Sequence, residues 1–218
     1  MADELRDPPI TGPPIRLAVC VSGEGTTLQN LIDRIRARKL RAEIVQVVAS
    51  RPRIGAIARA EAARIPLALA KYKARSIAEF SASVFDPIRH NHSELVVLAG
   101  FLSLLRIPAD YRGRVINIHP SLIPAFCGKG FYGSRVHKAV VESGVKISGC
   151  TVHFVDNAYD NGPIILQRAV PVQERDTPEA LAARVFKEEC KALPDAITQY
   201  AEGRLEVTGR RVRVRPPN

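Results

Sequence analysis

The chain has 218 residues, 46% hydrophobic and 25% charged, which suits one large globular domain with at most a small appendage and excludes a largely disordered chain. A formal charge of +10 suits anionic ligands, whether small phosphates or nucleic acid, and the absence of tryptophan argues against a tryptophan-based stacking surface. Cys20, Cys127, Cys150 and Cys190 lack metal-type spacing, and neither a signal-peptide core nor a bilayer-length apolar run is present, so free thiols and a cytoplasmic location without membrane attachment are expected.

In chain order, residues 1–14, acidic and then proline-rich, are expected to form an irregular tail. Residues 16–21 predict a buried strand and 22–27 a tight turn. A helix follows with Leu28, Leu31, Ile32 and Ile35 at i, i+3, i+4 and i+7, and Thr26 or Thr27 is the expected N-cap. A strand over 42–49, a short helix over 55–64, a brief strand over 66–69, a helix over 76–89 and strands over 94–99 and 114–117 continue the alternation. This order predicts an α/β fold with a doubly wound, mostly parallel sheet. Beyond a loop over 118–132 the grammar changes, because 146–155 and 164–172 are consecutive strand-like runs that pair as an antiparallel hairpin. A closing helix starts at Thr177, with a break or kink expected at Pro194. The single main domain is expected over 15–205. Residues 206–218 form a basic C-terminal strand and tail, in which Arg210–Arg215 alternates with valine as in a charge-protected edge strand.

The polar residues that could carry chemistry lie where open α/β sheets place their sites, at the carboxyl ends of strands. Asn117 and His119, two apart on an extended segment, face the same side. Asp160 follows in Asp-Asn-Gly-Pro at 160–163. An amide donates to a developing oxyanion, an imidazolium donates a proton, and a carboxylate keeps that ring charged and oriented. Ser22-Gly23-Glu24-Gly25-Thr26-Thr27 between strand and helix offers backbone N–H groups and a helix N-terminus to an anion. It lacks the Lys-Ser/Thr ending of a nucleoside-triphosphate loop and the third glycine of a dinucleotide loop, which leaves a monophosphate.

SGEGTTLQNLID at 22–33, VVLAGF at 96–101, INIHPSLIP at 116–124 and TVHFVDNAYDNGPIILQ at 151–167 together resemble the phosphoribosylglycinamide formyltransferases of purine biosynthesis. The Asn-x-His-Pro element is shared across folate-dependent formyltransferases, whereas the Ser-Gly-x-Gly loop is more discriminating and is also found in formyltetrahydrofolate hydrolases. The resemblance implies a Rossmann-like formyltransferase fold that moves a formyl group from 10-formyltetrahydrofolate to glycinamide ribonucleotide. No metal is needed, because the formyl carbon is already activated by its nitrogen leaving group. It implies that Asn117, His119 and Asp160 carry the chemistry, that Gly25, Thr26 and Thr27 bind phosphate, and that Glu189 holds the ribose end with help from Lys187. Leu102, Ser103, Leu104 and Leu105, through their backbone, would enclose the pterin together with Asp156, Asn157, Ala158, Tyr159 and Asn117. The family's folate-contacting arginine corresponds to either Arg75 or Ile77. His137 and His153 read as structural, and Lys129 as a solvated loop lysine.

The implied partners are small molecules, with no specific nucleic acid and either a monomer or a homodimer. Two alternatives use the same centre: hydrolysis of formyltetrahydrofolate, whose enzymes usually add an N-terminal regulatory domain, and formylation of another amine such as methionyl-tRNA, whose enzymes add a C-terminal nucleic-acid-binding barrel. A non-catalytic phosphate- or RNA-binding module would not need Asn117, His119 and Asp160 together.

Overall fold

The computed structural model describes residues 12–71 and 76–217. Among the described residues nine strands form one sheet: β1 (Ile15–Val21), β2 (Ala42–Ala49), β3 (Leu67–Leu69), β4 (Leu95–Leu98), β5 (Val115–His119), β6 (Ile147–Phe154), β7 (Ile164–Pro171), β8 (Leu205–Thr208) and β9 (Arg211–Val214). Their spatial order is β3-β2-β1-β4-β5-β6-β7-β9-β8. Pairing is parallel from β3 through β5, and antiparallel from β5 through β7. The basic hairpin β8–β9 joins the same sheet through a parallel bridge from β9 to β7. Along it Arg211 and Arg213 are exposed, while Val212 and Val214 are half-buried.

Strand alternation sorts the core into two layers. Leu17, Val19 and Val21 of β1 face α1 (Thr26–Arg36), α2 (Gly55–Ala62), α4 (Ser134–Ser143) and α5 (Pro178–Ala201), whereas Ala18 and Cys20 face α3 (Ile77–His90) and the segment over 101–111. β1 is buried on both faces, as expected for the centre of a parallel sheet. The direction of winding reverses between β1 and β4, so a crevice opens at their carboxyl ends. No helix among the described residues is long and apolar enough to cross a membrane.

Two local expectations are corrected, and one helix is added to them. The N-cap of α1 is neither threonine: Gly25 holds that place at φ 72°, without a side-chain cap. A Cβ there would approach Ala56 Cβ to 2.7 Å, so the close packing of α1 on α2 requires glycine, and both threonines move into the first helical turn. Pro194 does not break α5, which runs unbroken from Pro178 to Ala201. Proline removes the N–H that would bond the carbonyl four residues back, and Asn30 Nδ2 donates to that carbonyl, Cys190 O, at 3.2 Å. Pro194 itself is buried in the core. α4 was not anticipated at all. Val136, His137 and Val140 form its buried face, but it starts on Gly133 with no side-chain cap, behind a run of glycines that reads as loop.

Candidate active site

β5 ends on Asn117, Ile118 and His119, and its antiparallel neighbour β6 places His153 directly opposite Asn117. The chain then loops from β6 back to β7. Gly162 makes this return possible, since a Cβ at that position would sit 1.8 Å from Phe154 O. Asp160, at φ 49°, is turned inward by the same loop. Two distant segments are thereby brought to one point.

The polar contacts there form a closed set. Asn117 Nδ2 donates to Asp160 Oδ1 at 3.3 Å and lies 3.1 Å from His153 Nε2. His153 Nδ1 is 2.7 Å from Phe154 O, so it carries the ring proton and leaves Nε2 to accept from Asn117. His119 Nδ1 lies 3.6 Å from Asp160 Oδ2, and its Nε2 is 2.9 Å from Phe126 O. Asp160 Oδ2 also accepts from Gly128 N at 2.9 Å. His153, read from sequence as structural, therefore stands inside the cluster. The signal for it was positional: it is the cross-strand neighbour of Asn117, a pairing visible only once the register is known.

Burial pushes the His119 pKa below the ordinary imidazole value, against upward pulls from Asp160 and the Phe126 carbonyl, and His153 adds to the depression. For Asp160, burial pushes upward, but His153, His119 and the Gly128 N–H outweigh it and hold the carboxyl below the usual range. The unliganded centre is thus a carboxylate beside a neutral imidazole. If Nε2 keeps its proton on Phe126 O, the Nδ1 lone pair faces a negative oxygen, an arrangement relieved when Nδ1 gains a proton.

The turn that follows β5 is anchored rigidly. Ser121 Oγ donates to Ala125 O at 2.6 Å, Thr151 Oγ1 donates to Ser121 O at 2.6 Å, and Gln167 Nε2 donates to Ile123 O at 3.0 Å. The Ile123-Pro124 peptide is cis. Beyond it, Phe126 and Gly128 supply the backbone groups that hold His119 and Asp160.

Two cavities flank the cluster. One, of about 330 Å³, is lined by Asn117, His119, Leu102, Tyr132 and Tyr159 among others. The second, of about 450 Å³, is lined by Thr26, Thr27, His137, Glu179, Phe186 and Glu189 among others. Gly100, Ile118, Pro120 and Gly133 line both, so they form one cleft over the carboxyl ends of β4 and β5. No ion pair engages Glu189 among the described residues, and burial pushes its carboxyl up to about 7.

Of the other residues singled out from sequence, Gly25 sets the turn beneath Thr26 and Thr27, while Lys187 is exposed and lines neither cavity. Leu102 N donates to Ser22 Oγ at 3.0 Å. The N–H groups of Ser103, Leu104 and Leu105 have no protein partner among the described residues. Asp156 caps its own loop, accepting from Ala158 N at 2.8 Å and from Asn161 Nδ2 at 2.9 Å. Asn157 Oδ1 accepts from Ile107 N at 2.8 Å, tying that loop to the 102–107 segment. Ala158 and Tyr159 are exposed. Arg75 lies outside the described residues; its alternative, Ile77, is exposed in the first turn of α3.

Fold and cluster together define an α/β protein with a switch-point cleft, where an amide, an imidazole and a carboxylate meet in an arrangement suited to acyl-group transfer. The chain belongs to the formyl transferase family, whose sequence model matches residues 15–197. It is 36% identical over 187 residues to a phosphoribosylglycinamide formyltransferase from Bacillus subtilis (strain 168), covering 84% of this chain and 93% of that one. It is 40% identical over 196 residues to the trifunctional purine biosynthetic protein adenosine-3 of Gallus gallus, covering 88% of this chain and only 19% of that much longer relative. Among solved structures, glycinamide ribonucleotide transformylase 1 from Symbiobacterium toebii superposes with a TM-score of 0.86 at 39% identity, covering 97% of this chain and 99% of that one. A formyltetrahydrofolate deformylase from Pseudomonas syringae pv. tomato superposes with a TM-score of 0.81 at 27% identity, covering 92% of this chain and 66% of that one.

Proposed function

We propose that the protein transfers the formyl group of 10-formyltetrahydrofolate to the amine of glycinamide ribonucleotide, in purine biosynthesis. The observation that carries this reading is that Asn117 and His119, both in contact with Asp160, line one cavity, while the second cavity, sharing its wall at Gly100, Ile118, Pro120 and Gly133, reaches Thr26 and Thr27. In this reading the phosphate lies against the first turn of α1, where N–H groups and two threonine hydroxyls offer donors and the helix dipole favours an anion. The folate ring lies along Leu102–Leu105, where the N–H groups of Ser103, Leu104 and Leu105, without protein partners among the described residues, suit the hydrogen-bonding edge of a heteroaromatic ring. Tyr159 and the rest of the 156–159 loop, tied in place by Asn157, close the other side.

The neutral amine attacks the formyl carbon, and the formyl oxygen becomes anionic. Asn117 and His119 are the donors within reach, in a setting where each such donor contributes ~2.7–4 kcal/mol to the transition state. Both already donate to protein acceptors, so the oxyanion takes the place of Asp160 or His153 for Asn117, and of Phe126 O for His119. A full negative charge is a stronger acceptor than a carbonyl, which favours the exchange. The proton that the attacking nitrogen loses passes by way of Asp160 to His119 Nδ1, and Asp160 stabilises the imidazolium so formed. The same proton then passes to the departing folate nitrogen, so the carbon–nitrogen bond breaks with its proton supplied.

The test is an acceptor comparison, with the protein given 10-formyltetrahydrofolate and glycinamide ribonucleotide, initiator methionyl-tRNA, or water alone, while folate absorbance is followed. Turnover is expected only with the ribonucleotide. Equal turnover in water alone would instead match the deformylase-like neighbour and overturn the reading.

A further inference from the structure

His137 lies on the buried face of α4 and is only 6% exposed, yet it lines the same cavity as Thr26, Thr27 and Glu189. Its Nδ1 is buried with no hydrogen-bond partner. Its Nε2 also has no protein partner among the described residues, but it keeps accessible surface at the cavity wall. A neutral imidazole carries one N–H, and burying that N–H unpartnered costs more than burying a lone pair. The proton therefore belongs on Nε2, which then presents a donor to the cavity. Burial, followed by the nearby His119, depresses the pKa of the ring and keeps it neutral.

The cavity that holds Thr26 and Thr27 thus has a donor at His137 and, once Glu189 ionises, an acceptor at Glu189. A phosphate oxygen has no proton for a carboxylate, so it does not satisfy both groups. A hydroxyl does, because its oxygen accepts while its hydrogen is donated. We propose that His137 is a specificity-determining residue that donates through Nε2–H to a sugar hydroxyl of the phosphorylated acceptor, the same hydroxyl giving its own hydrogen to Glu189. The inference rests on the formyl-acceptor reading for the substrate class. It does not rest on that reading for the geometry.

Two measurements keep them separable. Calorimetric titration of the unmodified protein with ribose 5-phosphate and with its 2-deoxy and 3-deoxy analogues requires no turnover. One deoxy sugar is expected to bind ~5- to 10-fold more weakly, as for loss of a neutral hydrogen bond, and His137→Leu is expected to erase that preference. In the formyl-transfer assay, His137→Leu raises KM for glycinamide ribonucleotide by a similar factor, while kcat and KM for the folate stay within about twofold. His137→Gln, whose amide nitrogen reaches near the Nε2 position, restores most of the affinity, whereas His137→Asn, whose shorter amide lies near Nδ1, does not. Equal binding of all three sugars by the unmodified protein, or a Gln variant no better than the Leu variant, overturns the assignment. Sugar preference that survives in a protein unable to formylate the ribonucleotide would retain the His137 site and discard the acceptor assignment.

Discussion

At the Thr26 end of the cleft the donors stand without protein acceptors: α1 has no side-chain cap, and no hydrogen bond engages either threonine hydroxyl among the described residues. At the His119 end, by contrast, the Asn117 amide, the His119 ring and Asp160 already serve one another, His153 or the 124–133 loop. Open donors bind an anion with little rearrangement. Self-satisfied donors act only when something more negative than their present acceptor arrives, which is what a tetrahedral oxyanion is. The contrast separates affinity from rate, and substitutions at the two ends are expected to move different constants.

The largest effect falls at the closed end. His119→Ala or Asp160→Asn lowers kcat by ~10²-fold or more with KM for the ribonucleotide nearly unchanged, as for loss of an oxyanion donor or its charge partner. A steady-state series on the folded variants checks this, and an effect confined to KM would erase the distinction. At the open end, Gly25→Ala forces a Cβ to within 2.7 Å of Ala56 Cβ at φ 72°. It should raise KM for the ribonucleotide by ~10-fold and destabilise the fold by about 1–3 kcal/mol, read from the denaturation midpoint.

These two sites were unequally legible in the sequence. The strand-helix alternation, the glycine turn and the Asn-x-His spacing on a strand end are local patterns, and each element formed near its expected place. Asp160 was visible as a carboxylate in a turn, but its approach to His119 depends on the β5–β6–β7 register and on Gly162 packing against Phe154 O. Other features were non-local and so illegible. The pairing of His153 with Asn117, the rescue of the Cys190 carbonyl by Asn30 beneath Pro194, and the clamp of the 124–133 loop on His119 each join residues far apart or held by unusual backbone. α4 failed a local reading, because Gly128, Gly130 and Gly133 masked the start of a helix that carries no capping side chain.

Smaller effects sharpen the contrast. Glu189 has a folded-state pKa of about 7 against an ordinary value of 4.5. A raised carboxyl pKa means that the native state holds the proton more tightly than the unfolded chain. Its contribution to stability is therefore full below pH 4.5 and is lost as pH rises through about 7. Denaturant midpoints of the unliganded protein should fall over that window, and Glu189→Gln should flatten the fall; a variant with an unchanged slope would place the effect elsewhere. Thr26→Ala removes one hydroxyl among several donors, so KM for the ribonucleotide should rise only ~2- to 5-fold, with kcat preserved.

The claim that Asn117, His119 and Asp160 act as one unit is tested most directly by a double-substitution cycle on kcat with His119→Ala, Asp160→Asn and both together. Residues that serve a single proton and charge transfer are non-additive, so the double variant should lie within about twofold of the worse single one. A double variant whose loss equals the product of the two single losses would mean that imidazole and carboxylate work independently, and would contradict the account.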